Sequence, residues 1–173
     1  MTFEAAYMIT AFVTLFVVID PIAIAPIFLA VTPGMTATAR ERIARRAVLV
    51  GALILVVFAF LGEAVLDFIG ISMAAFRVAG GILLFLTALD MLFDRRTKRR
   101  ADSADPDPLH DDPSVFPLAI PLIAGPGAIA SVILLVGEKP GGEGLITIIG
   151  MTTVILAIMY IMLRLSSSLE YPS

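Results

Sequence analysis

Asp20 to Leu29 reads DPIAIAPIFL, and Gly125 to Leu134 reads GPGAIASVIL. Laid side by side, the two stretches agree at five of ten positions, and in both a proline follows the first residue. Proline removes an amide donor, clashes with the preceding turn and pushes the residue before it away from helical dihedrals. The pattern therefore predicts helices that stop and restart at Asp20-Pro21 and at Gly125-Pro126. Asp before Pro is a good cap and first-turn pair, and Gly before Pro is an acceptable one, so each site can start a new half-helix. Pro26 and Gly127 loosen the same two regions further.

The surroundings of both stretches call for a bilayer. The chain is 59% hydrophobic and 16% charged, with a mean hydropathy of +1.00, beyond the range of ordinary soluble domains. Five apolar runs approach the roughly 20 residues that a spanning helix needs: Phe3 to Val31, Ala47 to Phe68, Ser72 to Phe93, Val115 to Val136 and Leu145 to Leu163. The expected fold is all-α, a polytopic transmembrane helical bundle. The first run carries Glu4, has no basic leader and is too long for a signal peptide, so it is expected to be retained.

Charge placement sets the expected topology. Arg40, Arg42, Arg45 and Arg46 follow the first run, Arg95, Arg96, Lys98, Arg99 and Arg100 follow the third, and Arg164 follows the fifth. Alternating helices put these ten on one side, which the positive-inside rule makes the cytoplasm; the N-terminus is then outside, and loops 32–46 and 94–114 are cytoplasmic. The segment Arg95 to Pro113, a basic run followed by Asp- and Pro-rich sequence that cannot bury apolar area, reads as a flexible cytoplasmic linker, with a lipid-headgroup or partner site for the basic cluster as the functional alternative.

A unit of three spans crosses an odd number of times, so a second copy enters from the opposite side. The similarity between the first and fourth runs thus implies inverted repeats, as in many secondary transporters. Residues 1–94 form the first three-helix repeat, 95–114 the cytoplasmic linker and 115–173 the second repeat. By helix rise, Asp20 and Gly125 lie roughly 18 and 15 Å from the inner face, near the midplane of a core about 30 Å thick. A carboxylate at that depth costs at least about 2.5 to 3.5 kcal/mol on insertion scales. Either Asp20 caps its half-helix, or it forms, with the half-helix ends, a site for a small zwitterion or a coupling cation. In the second case the positive N-terminal end formed by Gly125, Pro126, Gly127 and Ala128 receives an anionic group such as a carboxylate, through its free amides and the helix dipole together. Asp20 faces an ammonium, and Pro21, Ala23 and Pro26 complete a compact site. Close helix packing through the same small residues is the alternative.

Arg77 can reach headgroups or pair with Glu63 or Asp67, while Gly80 and Gly81 permit close helix approach. Thr14, Thr87, Ser131 and Thr152 can bond to their own backbone. With no Cys and one His, His110, the sequence offers no disulfide, thiolate or metal-ligand cluster, no resident cofactor and no nucleic-acid partner. It also lacks an intramembrane carboxylate pair or a Ser with a base, so no enzyme is expected.

The stretches VVIDPIAIAPIFLAVTPG, AFRVAGGILLFLTALDMLF and PLAIPLIAGPGAIASVILL resemble the MarC/SnatA family of prokaryotic inner-membrane proteins over nearly the whole chain. The resemblance implies six helices and, from some members, transport of neutral amino acids such as glycine and alanine. Its motifs fall on Asp20, Pro21 and Pro26, on Arg77, Gly80 and Gly81, and on Gly125, Pro126 and Gly127. After Arg164 the chain reads LSSSLEYPS, so five spans are expected, with a sixth missing and the second repeat incomplete. The leading functional expectation is a secondary carrier of a small neutral amino acid or similar solute, with H+ or Na+ as the coupling ion. The competing one is a non-transporting membrane scaffold or inactive truncated form, whose fold is completed in a homo-oligomer.

Overall fold

A computed structural model describes residues 3–93 and 113–169. The basic run 95–100, Asp94, His110 and most of the expected linker lie outside the described residues. Among the described residues there are six α-helices: α1 Phe3–Ile19, α2 Pro21–Val31, α3 Ala37–Phe68, α4 Met73–Leu92, α5 Pro126–Glu138 and α6 Gly142–Leu169. Ahead of α5 runs a segment of wider turns, Ser114–Ile123. Glu4–Val31, α3, α4 and α6 are long and apolar enough to cross a bilayer, and the bent pair Ser114–Ile123 plus Pro126–Glu138 makes a fifth candidate span.

Local chemistry sets most boundaries. Thr36 and Ser72 cap α3 and α4, their hydroxyls accepting the amides of Ala39 and Ala75 at 3.2 Å each. The end of α3 is closed by Gly70 at φ 79; the Gly70 amide donates to the Asp67 carbonyl and the Ile71 amide to the Leu66 carbonyl. That pair of bonds is the Schellman arrangement, which a glycine enters without a Cβ clash.

Two expectations need correction. The arginines at 40, 42, 45 and 46 do not lie in a loop spanning 32–46, because α3 starts at Ala37 and carries all four. Nor is the first half of the fourth span an α-helix. Pro117 and Pro121 lack amides, and Phe116 (φ −122, ψ 127) and Ile120 (φ −127, ψ 124) before them are extended, as the residue ahead of a proline prefers. The Leu118 amide donates to the Pro113 carbonyl at 3.2 Å and Ala124 to Ala119 at 2.8 Å, each reaching one residue further back than an α-helical bond.

The bundle is organised around α3, which packs along α6, α5 and the wide-turn segment, while α2 and α1 also pack on α6. The buried stripe of α3 runs Ala44, Ala47, Gly51, Leu55, Ala59, Gly62 and Leu66. In hydrocarbon, helices associate by van der Waals contact and not by escape from water, so small residues that bring backbones together are favoured. A Cβ on Gly51 would stand 2.6 Å from Ile123 Cγ2, and one on Gly62 would stand 2.5 Å from Ile133 Cγ1. α4 packs chiefly on α5 and leaves Val78, Ile82 and Phe85 exposed, surfaces suited to acyl chains.

Gly51→Val and Gly62→Val should each lower stability in detergent by about 1 to 3 kcal/mol, the usual overpacking cost. Gly81→Val, which meets open space, should change the melting curve little. Thermal unfolding of the three variants checks this.

Candidate functional site

The two breaks expected from sequence are both present, and they differ. At the first, the Asp20 amide closes α1 on the Phe16 carbonyl at 2.9 Å, and the Asp20 carbonyl receives the Ile24 amide of α2 at 3.3 Å. Asp20 sits at φ 56, ψ 67, and its carboxylate accepts the Ala23 amide at 3.2 Å. Left-handed backbone is uncommon outside glycine, and Asp tolerates it because its short side chain bonds locally. The two halves nevertheless continue as one span of 28 residues. At the second break, Gly125 is extended (φ −77, ψ 167) and gives α5 no side-chain cap. The chain bends there by 51°. A Cβ on Gly125 would stand 2.5 Å from the Pro121 carbonyl oxygen, so the bend itself requires glycine. The Gly127 and Ala128 amides at the α5 start have no protein acceptor among the described residues, as the first turn of an uncapped helix leaves them.

The breaks are neighbours. A Cβ built on Gly127 would lie 3.2 Å from Val18 Cγ1, two residues before Asp20, and 3.9 Å from Thr87 Oγ1 of α4. Val18 and Thr87 also line a crevice of about 340 Å³ between α1 and α4, with Val13, Thr14, Val17 and Leu84. Its walls are apolar apart from the two threonines, and Thr87 donates to its own helix at the Leu83 carbonyl.

The other residues singled out from sequence are placed as follows. Asp20 is half-buried, Pro21 buried in the first turn of α2, and Ala128 buried at the start of α5. The Ala23 amide is engaged by Asp20. Pro26 and Pro126 are exposed, and α2 runs through Pro26 without stopping. Arg77 pairs with neither Glu63 nor Asp67; its guanidinium donates to the Gly137 carbonyl near the end of α5 at 3.1 Å. Gly80 lets α4 meet α5, since a Cβ there would stand 2.8 Å from Leu134 Cδ1, whereas Gly81 faces open space and makes no close approach. Ser131 is buried and its hydroxyl has no partner, so it does not bond to its own backbone.

Sequence reasoning missed two polar clusters, one at each end of the bundle. At the first, Arg40 is only 7% exposed and donates through Nε and Nη2 to the Thr32 carbonyl at 3.2 and 3.0 Å. Beside it, Glu41 accepts the Tyr160 hydroxyl at 3.4 Å and lies 3.7 Å from Arg164 of α6. At the opposite end Lys139 bridges Glu4 at 2.6 Å and Glu143 at 3.0 Å, and the Tyr7 hydroxyl donates to the Leu135 carbonyl at 2.8 Å. Hydrogen bonds from Lys139 to Glu4 and then to Glu143 hold its ammonium above the ordinary lysine pKa. The available signal was chain position: each cluster lies where a span ends and polar residues recur.

Helical spans with a break in two of them, meeting beside a crevice, define a polytopic membrane protein of the broken-helix class. The chain belongs to the MarC family of integral membrane proteins, whose family model matches residues 5–171. A UPF0056 membrane protein of Archaeoglobus fulgidus is 37% identical over 172 residues, 96% of this chain and 77% of that one. One from Methanocaldococcus jannaschii is 40% identical over 134 residues, 76% of this chain and 59% of that one. The UPF0056 inner membrane protein YhgN of Escherichia coli K12 is 34% identical over 163 residues, 91% of this chain and 81% of that one. No solved structure matches the chain.

Asp20→Ala removes both the cap and the residue type that accepts φ 56; it should cost about 1 to 2 kcal/mol for the cap and a similar amount for the backbone. Asp20→Asn keeps both properties and should unfold close to the parent temperature. Thermal unfolding of the pair separates the structural part of Asp20 from its charge.

Proposed function

We propose that the chain acts as, or within, a secondary carrier of small zwitterionic solutes, neutral amino acids such as glycine and alanine, in a prokaryotic inner membrane. The observation that carries this reading is the second break. The start of α5 offers uncapped amides, and Gly127 there abuts Val18 and Thr87, two residues that line the crevice between α1 and α4. Amides and helix dipole together favour a carboxylate, and Asp20 supplies the opposite charge for an ammonium group. A Cβ on Gly127 would already stand 3.2 Å from Val18 Cγ1 and 3.9 Å from Thr87 Oγ1, so the surroundings of this helix start are tight and favour a compact solute.

The paired breaks also support inverted repeats. α2 and α5, the second halves of the two broken spans, begin at equivalent prolines, and each packs on the long helix of the other repeat, α2 on α6 and α5 on α3. Alternate exposure of a fixed midplane site is the mechanism such architecture serves. The end bearing Arg40, Arg42, Arg45, Arg46 and Arg164 is assigned to the cytoplasm by the positive-inside rule.

Proteoliposomes should take up labelled glycine and alanine well above empty vesicles. Asp20→Asn should reduce uptake at least about tenfold, the effect of one lost charge-assisted contact, and Gly127→Leu should do so by filling the space beside Val18 and Thr87. If the folded parent protein moves no amino acid across the membrane, the reading fails and a scaffold role replaces it.

A further inference from the structure

We propose that Arg40 and Arg77 are the two gate clamps of the bundle, one at each end, each holding a half-helix closed by its terminal carbonyl. The acceptors carry the inference. Thr32 stands to Asp20 in the first broken span as Gly137 stands to Gly125 in the second, the same distance along the chain beyond the break. Both carbonyls are taken by a guanidinium: Thr32 by Arg40 through two donors, at 3.2 and 3.0 Å, and Gly137 by Arg77 at 3.1 Å.

Neither arginine is placed for the good of its own helix. Arg40 follows the Thr36 cap of α3 by one turn, and Arg77 follows the Ser72 cap of α4 by little more. A cation in the first turns opposes the helix dipole, whereas at the last turn of another helix it is favoured. Each arginine therefore does its electrostatic work on its neighbour. The donors come from different helices, while the acceptors are equivalent, so the shared feature is what is held.

The two clamps lie at opposite ends. Gly137 belongs with Lys139, Glu4 and Glu143, and Thr32 with Arg40, Glu41 and Arg164. The 28 residues of Glu4–Val31 separate them by roughly 40 Å of helix. With both clamps made, α2 is tied at one end of the bundle and α5 at the other, so the region of the breaks is held from each side by one clamp. Releasing Arg40 from Thr32 frees α2 toward one side of the membrane; releasing Arg77 from Gly137 frees α5 toward the other. The purpose of the clamps rests on the carrier reading, but their side selectivity can be measured with no solute present.

The chain has no cysteine, so a single introduced thiol reports without background. Ala25→Cys in α2 and Ala128→Cys in α5 sit near the breaks, 8% and 2% exposed, more than a turn from either clamp, where fraying of the last turn does not reach. Both are labelled with a membrane-impermeant maleimide in sealed vesicles of each orientation. Arg40→Gln should raise labelling of Ala25→Cys about tenfold from the Arg40 side alone, and Arg77→Gln should do the same for Ala128→Cys from the other side alone, the scale set by losing a charged hydrogen bond. Arg40→Lys and Arg77→Lys keep a cation and one donor. They serve where the glutamine variants do not fold, and should show the same side selectivity at smaller size. If either arginine change raises both thiols alike, or raises neither, the clamps are ordinary packing and the proposal falls. Selective labelling without amino acid uptake would keep the clamps and discard the carrier.

Discussion

Hydrocarbon offers a backbone amide or carbonyl no partner, so every interruption of a spanning helix has to be answered by protein. Each proline that breaks this chain raises that demand, and the answers shape the rest of the molecule. At the first break Asp20 answers with its own side chain and a left-handed turn. Through Ser114–Ile123 the answer is a longer reach, with amides of Leu118 and Ala124 passing over the α-helical acceptor to the one behind it. At the ends of α2 and α5 the answer comes from arginines on other helices. The start of α5 is left without one among the described residues, and its Gly127 stands against Val18 and Thr87 of the crevice.

The stripe of small residues on α3 follows from the same constraint. A bent, wide-turned segment has an irregular surface and can be buried only against a helix able to approach it closely. Gly51 receives Ile123 of the wide-turn segment and Gly62 receives Ile133 of α5, so one helix serves both halves of the bent span. Large side chains at these points would push the broken span toward lipid and expose the backbone groups that the bend releases. The packing of α3 and the placement of the second break are thus a single requirement seen from two sides.

Much of this was legible in the sequence. The five spans, both breaks, the packing role of Gly80 and membrane residence follow from hydropathy, proline and glycine, which act locally. Three features were not. The start of α3 at Ala37 was hidden because four arginines read as a loop, although Thr36 supplies an ordinary cap three residues before Ala39. The wide turns at 114–123 were hidden because a run rich in Leu and Ile reads as helix unless Pro117 and Pro121 are weighed together. The targets of Arg40 and Arg77 are backbone carbonyls, and a carbonyl has no letter of its own. Arg77 was read as reaching headgroups or pairing with Glu63 or Asp67, because a sequence offers only lipid and side chains as partners.

The two breaks share a sequence pattern yet differ in outcome, and the difference lies in what precedes them. Before Asp20 stands an unbroken α-helix that imposes its axis, and the chain passes the break as one 28-residue span. Before Gly125 stand two further prolines and no α-helix, so nothing holds the axis and the chain turns by 51°. A straight break can keep its polar groups within the helix; a bent one presents them sideways. The same proline therefore makes a satisfied joint in one half of the molecule and an open start to α5 in the other. A solute site would draw its shape from that inequality, with the carboxylate fixed on the straight span and the amides presented from the bent one.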